Sequence, residues 1–161
     1  MSSLRVLALA ALFAAVAAPA RADATLFLGA NTTPESRRVQ GFSVGIGLLI
    51  VGVEFEYANT PQSGDAVPTS PSLKTGSGNL LLQTPFAIYG FQPYFTFGGG
   101  YYSESLGARD DSGFAPNTGG GVKISLAGPL RLRVDYRVFK LGDSALYSPV
   151  HRLYAGLNLK F

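Results

Sequence analysis

Residues 130–139 read LRLRVDYRVF, a stretch in which apolar and charged residues alternate as far as Val138. Successive side chains of a β-strand point to opposite faces. The stretch therefore predicts a strand with one apolar face and one charged face. The same period of two recurs in eight segments of residues 23–161. These segments centre on Leu26, Val44, Phe55, Leu80, Phe95, Ile124, Val134 and Leu157.

The eight segments have the length and spacing of membrane-crossing strands. A tilted strand that crosses a bilayer needs roughly 9–11 residues, which most of the segments provide. Their connections alternate between two kinds, and transmembrane barrels show this alternation because their extracellular loops are long and their periplasmic turns short. The short connections lie near 49–52, 84–90 and 127–129, and the long polar ones near 31–40, 59–74, 103–113 and 141–149. We therefore predict an all-β fold, a single eight-stranded antiparallel transmembrane up-and-down β-barrel with both chain ends on the periplasmic side.

Alternation alone does not show which face of each strand points outward. A soluble lipocalin-like barrel would place the apolar face inside, around a ligand, whereas a membrane barrel places it against lipid. The apolar face carries no charge in any of the eight segments, and the polar face combines charges with glycines. These glycines are Gly41, Gly45, Gly47, Gly98, Gly100, Gly119, Gly121 and Gly156. Glycines would relieve crowding in the narrow interior of an eight-stranded barrel, so the membrane barrel is favoured over a soluble periplasmic ligand-binding barrel.

The last strand carries a further indication of the outer membrane. Apolar residues occupy every second position from Leu153 to Phe161. This pattern resembles the terminal strand that the barrel-assembly machinery recognises in outer-membrane proteins, which usually ends in Phe. We assign the assembly signal to Tyr154, Gly156, Leu157, Leu159 and Phe161.

The first 22 residues have the layout of a secretory signal peptide. Arg5 precedes an uncharged apolar run, which Pro19 ends, and Ala20 and Ala22 then offer small residues two apart. The run is shorter than the roughly 20 apolar residues that a membrane-spanning helix needs. We predict export through the inner membrane with cleavage after Ala22, which leaves one outer-membrane barrel domain at 23–161.

Composition excludes several classes of function. The chain has no cysteine, so disulfides and metal sites of the Cys or Cys/His kind are excluded, and no cofactor is expected. The formal net charge of +3 is small, and the basic residues do not cluster into a surface run. A nucleic-acid partner is therefore not expected.

Several stretches resemble a known family. Gln92-Pro93-Tyr94-Phe95 leading to Gly98-Gly99-Gly100-Tyr101 resembles the fifth strand of the OmpA/OmpX-type small outer-membrane β-barrels. Residues 117–123, 130–139 and 154–161 resemble the sixth, seventh and eighth strands of that family. The resemblance is a pattern of glycines and aromatics that covers nearly all of 23–161. It implies an integral outer-membrane protein, for which we predict an envelope-structural or surface-interaction role without catalysis.

The partners expected for such a protein follow from its location. They are the outer-membrane lipid and lipopolysaccharide, and, during biogenesis, the barrel-assembly machinery and periplasmic chaperones. We expect the barrel to be a monomer.

The polar face carries the most informative set of residues. It consists of Glu54, Glu56, Lys123, Arg131, Arg133, Asp135, Arg137, Arg152 and Lys160. The third and seventh strands face each other across an eight-stranded barrel, so Glu54 is expected near the height of Arg131 or Arg133. Unpaired buried charges are costly, and a hydrogen-bonded network is therefore expected. The network could be a structural plug, or a narrow porin-like channel for ions and small solutes that opens when Arg–Glu pairs exchange partners, with weak anion preference.

One group of residues could carry acyl chemistry. His151 has Ser144, Ser148 and Asp143 nearby in the sequence, and a His–Ser pair with an acidic group is the minimum for such chemistry. Some eight-stranded outer-membrane barrels modify lipid A, and the deacylases among them carry a serine two residues after the histidine. Leu153 stands at that position here. We therefore predict that the protein is not an enzyme, with a lipid A-modifying enzyme as the weakest alternative.

Overall fold

The segments of period two form eight strands that close on themselves. The computed structural model describes residues 21–62 and 70–161. The strands are β1 (Arg21–Asn31), β2 (Arg37–Leu48), β3 (Val51–Thr60), β4 (Ser72–Gln83), β5 (Phe91–Leu106), β6 (Arg109–Ala127), β7 (Leu130–Phe139) and β8 (Val150–Lys160). Each strand pairs antiparallel with the next, and β8 pairs with β1 to complete a barrel. The predicted fold class is confirmed. Within the described ranges, no helix is long and apolar enough to cross a membrane.

The apolar face of each strand points to the outside of the barrel. On β1, Leu26 is 72% exposed, whereas the next residue, Phe27, is buried. On β8, Leu157 is 56% exposed, whereas Tyr154, which points to the opposite face, is buried. The charged face of β7 lies inside, with Arg133 and Arg137 fully buried. This arrangement excludes the lipocalin-like alternative, because that barrel would have the two faces exchanged.

Glycines on the inner face leave room for aromatic rings. The rings of Phe27 and Tyr154 stack inside the barrel with their centroids 4.0 Å apart. A Cβ atom on Gly41 would lie 2.5 Å from Cζ of Phe27, and one on Gly156 would lie 2.8 Å from its Cβ. Any larger residue at these two positions would collide with the stacked pair.

The connection predicted as a long loop at 103–113 is wrong. β5 and β6 are 16 and 19 residues long, and only Gly107 and Ala108 separate them. Gly107 has a positive φ of 61°, which permits so tight a reversal. The two strands therefore continue past their neighbours as a hairpin on the side of the long loops. The predicted loop at 59–74 spans only 61–71, of which residues 63–69 are outside the described part.

The predicted signal peptide stays a prediction. Residues 1–20, including Ala20, lie outside the described residues. β1 begins at Arg21, and Ala22 exchanges two backbone hydrogen bonds of 2.9 Å with Phe161. Cleavage after Ala22 would thus remove the first two residues of β1.

Candidate functional site

Besides the stacked rings of Phe27 and Tyr154, three groups of side chains lie in the lumen, one above the other. The mouth cluster lies at the end with the short turns and consists of Asp23, Lys123, Arg131 and Lys160. The central cluster comprises Glu54, Glu56, Arg133, Asp135, Arg137 and Arg152. The apolar cap lies at the end with the long loops and contains Leu73, Tyr102, Ala115, Phe139, Leu141 and Val150.

Glu54 joins opposite walls of the barrel. It lies on β3 and accepts hydrogen bonds from two arginines of β7. Both terminal nitrogens of Arg133 donate to the Glu54 carboxylate, and the Nη2–Oε1 distance is 3.1 Å. Arg137 Nη2 lies 2.7 Å from the same Oε1 atom. Such two-nitrogen pairing fixes the orientation of both partners as well as adding energy.

Asp135 holds those two arginines from their own strand. It lies between them on the inner face of β7, and its carboxylate is 3.0 Å from Arg133 Nη2 and 3.0 Å from Arg137 Nε. The hydroxyl of Tyr94 donates to Asp135 and accepts a 2.7 Å hydrogen bond from Arg133 Nε. Tyr94 therefore connects β5 to the ion pairs of β7.

Glu56 extends the central cluster towards the cap. Its carboxylate lies 3.2 Å from Arg137 Nη1 and 3.2 Å from Arg152 Nη1. The Tyr154 hydroxyl donates to it at 2.9 Å. Arg152 uses its other nitrogens on Asn31 Oδ1 at 3.1 Å and Thr75 Oγ1 at 3.0 Å. Five strands, β1, β3, β4, β7 and β8, are joined at this level.

The charges of the central cluster balance. Three carboxylates face three guanidinium groups, and all six side chains are buried. Removing one partner of such a pair typically lowers the free energy of unfolding by about 3–5 kcal/mol, because a buried charge is then left uncompensated. The cluster can therefore fix the barrel's cross-section, and each of its carboxylates is already engaged by arginine.

The mouth cluster is less evenly paired. Asp23 binds Lys123 Nζ at 2.6 Å and Arg131 Nη2 at 3.2 Å. Arg131 is held in place by Asn158 Oδ1 at 2.7 Å and Gln92 Oε1 at 3.0 Å. Lys160 is half-buried and lines a cavity of about 220 Å³ at this end.

The apolar cap closes the other end of the lumen. Arg152 lies under it, with its guanidinium carbon 4.4 Å from the centre of the Phe139 ring. The segment after β7 is held over the cap by Glu104, whose carboxylate accepts a 2.7 Å hydrogen bond from the Leu146 amide. In the cap itself, the Leu141 carbonyl accepts a hydrogen bond from the Ser148 hydroxyl, and the Leu141 amide donates one to the same hydroxyl oxygen. The described residues thus contain an ionic layer covered by an apolar one.

No protein-family model matches the sequence, and no curated protein matches it either. Solved structures do match. The N-terminal β-barrel domain of Pseudomonas aeruginosa OprF superposes with a TM-score of 0.63 at 15% identity, covering 88% of this chain and 97% of that one. Neisserial surface protein A gives 0.62 at 18%, covering 88% and 96%. Ail, the attachment invasion locus protein of Yersinia pestis, gives 0.60 at 16%, covering 89% and 99%.

The chain has the fold of the small OmpA/OmpX-type outer-membrane barrels. In such a barrel the outward side chains meet lipid, and Leu157, Leu159 and Phe161 of the predicted assembly signal are all exposed there. The other two members of that signal, Tyr154 and Gly156, point into the lumen. Their side of β8 contributes to the interior packing.

The single histidine of the sequence bonds to a tyrosine. His151 Nδ1 lies 2.6 Å from the Tyr136 hydroxyl. Ser144 donates to Asp111 at 2.8 Å, and Ser148 is bonded to the backbone of Leu141. The hydrogen bonds of the described residues therefore do not assemble the His–Ser pair on which acyl chemistry would depend.

Asp23 and Tyr94 are among the residues of the lumen network that the sequence analysis did not identify. Asp23 has the same parity as Thr25 and Phe27, so extending the alternation of β1 towards its start would have included it. The sequence analysis treated Tyr94 only as part of an aromatic pattern, and alternation does not predict which groups a tyrosine hydroxyl contacts. Conversely, Lys160 forms no ion pair within the described residues and belongs to the lumen only as a wall of the mouth cavity.

Proposed function

We propose that the chain is an integral protein of the outer membrane with a structural and surface-interaction role and without catalysis. The observation that carries this proposal is the filled lumen. The central cluster joins β3, β7 and β8 by buried ion pairs, and the apolar cap covers it. A barrel closed in this way is suited to a stable membrane anchor that presents its loops outside.

The β5–β6 hairpin supports a role at the surface. β6 pairs with β7 only from Asn117, so residues 109–116 have β5 on one side and no partner strand of the described barrel on the other. The segment after β7 covers part of this edge, where Arg109 Nη2 donates to the Ser144 carbonyl at 2.8 Å. Such a projecting, ordered hairpin is a rigid platform for contacts with other molecules.

Fractionation with heat-modifiable gel migration tests the location. We expect the protein in the outer-membrane fraction, cleaved after Ala22, with a mobility in SDS that changes on boiling. Protein in the soluble periplasmic fraction, without a shift, would contradict the proposal.

The expected lipid environment includes lipopolysaccharide, the expected assembly route is the barrel-assembly machinery with periplasmic chaperones, and the expected state is a monomer.

A narrow ion channel is the second candidate, and one contact favours it. Arg137 touches both Glu54 and Glu56, so it already has two alternative partners between which it could switch. Planar-bilayer recordings separate the two functions. We expect no steady conductance from the intact barrel; small, anion-preferring steps that grow when Glu56 is replaced by Gln would favour the channel instead.

A further inference from the structure

The mouth of the barrel contains a cavity of about 220 Å³ that the central cluster does not fill. Its inner wall is made by lumen side chains, among them Gln83 and Gln92, and its rim by turn residues such as Leu49, Pro85 and Phe86. The cavity therefore opens towards the side of the short turns. It is large enough to admit water or a small polar group.

The wall of this cavity has an excess of positive charge. Lys123, Arg131 and Lys160 line it, and Asp23 is the one carboxylate among the described lining residues. Arg21 lines it as well, but the predicted cleavage after Ala22 would remove that residue, so it is not counted. Phe161, which follows Lys160, is exposed on the outside of the barrel and does not line the cavity.

Arg131 and Lys123 are held in position before any ligand arrives. Arg131 is fixed by Asn158 and Gln92, and it presents Nη2 towards Asp23. Lys123 is 3% exposed, and its ammonium group, which has three donor hydrogens, has one carboxylate partner at 2.6 Å. An anion that enters the mouth would meet donors whose orientation is already set, which reduces the entropy lost on binding.

We propose that this cavity binds a phosphate group through Lys123, Arg131 and Lys160. Phosphate offers acceptor oxygens on every side, and the arginine fork and the lysine ammonium are its usual protein partners. The side chains of Lys123, Arg131 and Lys160 against that of Asp23 leave two positive charges, besides the α-ammonium that cleavage after Ala22 would create on Asp23. This excess attracts a phosphate dianion and the singly charged phosphodiester of a lipid headgroup. The group could be carried by a small soluble molecule or by a phospholipid headgroup at the same membrane surface.

Titration of the folded full chain with inorganic phosphate, in a detergent that contains no phosphate, tests the proposal by calorimetry. The wild type is expected to bind saturably. Lys160→Gln is expected to weaken binding about fivefold, the factor that corresponds to about 1 kcal/mol for one exposed charge pair near 4 Å in water. Gln83→Glu adds a carboxylate to the wall at constant shape and is expected to abolish binding.

Lys140→Gln is the matched control, since Lys140 is exposed and follows β7 at the opposite end of the barrel. It should bind phosphate as the wild type does, and heat-modifiable migration checks that every variant is folded. Saturable binding of inorganic phosphate that is equal in all four proteins would overturn the proposal.

A second arm identifies the source of the phosphate group. Native mass spectrometry of the barrel from phosphatidylglycerol nanodiscs reports whether lipid is retained. Retention that falls in Lys160→Gln and Gln83→Glu but not in Lys140→Gln, without binding of inorganic phosphate, would assign the site to a lipid headgroup. No retention together with no phosphate binding would refute the site in either form, whereas the proposed location in the outer membrane would be unaffected.

Discussion

The central cluster and the mouth cluster both combine carboxylates with basic side chains but differ in charge balance. In the centre, three guanidinium groups face three carboxylates, all buried. At the mouth, Lys123 and Arg131 share the single carboxylate of Asp23, and Lys160 adds a third cation beside an open cavity. A balanced, buried set can stabilise the fold without help from outside. An unbalanced, accessible set retains attraction for an anion.

The comparison predicts that removing a charge should have opposite consequences in the two regions. In the centre it leaves a buried partner uncompensated, which destabilises the fold. At the mouth it reduces repulsion between like charges. The following changes test this difference.

Glu54→Gln should give the largest loss of stability. It removes the negative charge that Arg133 and Arg137 share while nearly keeping the shape of the side chain. The free energy of unfolding should fall by about 3–5 kcal/mol, as for other broken buried pairs. Urea unfolding in lipid vesicles, followed by tyrosine fluorescence, measures it. Asp110→Asn, on the exposed end of the hairpin, is the control, and equal stability of the two variants would refute the structural role of the cluster.

Tyr94→Phe should have the next largest effect. It removes the hydroxyl that connects Arg133 Nε to Asp135 and leaves both groups short of a partner. Unsatisfied buried groups of this kind typically cost about 1–3 kcal/mol. The same unfolding assay applies, with Tyr101→Phe as the control because Tyr101 is exposed on the outer face. A Tyr94→Phe protein as stable as its control would mean that the hydroxyl contributes nothing to the network.

Gly121→Ala tests the space that the network requires. The new Cβ would lie 2.1 Å from the Val134 carbonyl oxygen and 2.6 Å from the Tyr94 hydroxyl oxygen. Overpacking of this kind typically destabilises by about 1–3 kcal/mol. Gly76→Ala is the matched control, since nothing lies within 4 Å of its new Cβ on the outer face. If both variants unfolded at the same urea concentration, the inner glycines would not be needed for the packing of Tyr94.

The pairing across the lumen could be predicted because it follows from the alternation along each strand and from the number of strands. Alternation decides which residues of β3 and β7 point inward, and the number of strands decides that β3 and β7 are opposite. Glu54 was therefore expected near the height of Arg131 or Arg133, and it meets Arg133. The reach of Arg137 to both Glu54 and Glu56 could not be predicted, because it depends on side-chain rotamers and not on parity.

The hairpin end of β5 and β6 escaped prediction for a different reason. The sequence SESLGARDDS at 103–112 is polar on both faces, so it lacks the alternation that burial in a membrane imposes. It stays extended because each strand has the other as its hydrogen-bonding partner, from Ser103 opposite Ser112 to Leu106 opposite Arg109. Alternation of apolar and polar residues indicates burial of one strand face. Here the hydrogen bonds between β5 and β6, and not burial, maintain the strands.

Lys160→Gln should have the smallest effect on stability, and of the opposite sign to Glu54→Gln. Lys160 has no ion-pair partner within the described residues and shares the mouth with Lys123 and Arg131. Removing its charge reduces repulsion, so the urea midpoint should rise slightly at low salt. At about 1 M salt, where the screening length is only about 3 Å, the midpoint should equal that of the wild type. A lowered midpoint at low salt would show that the mouth charges stabilise one another, and the contrast between the two clusters would then fail.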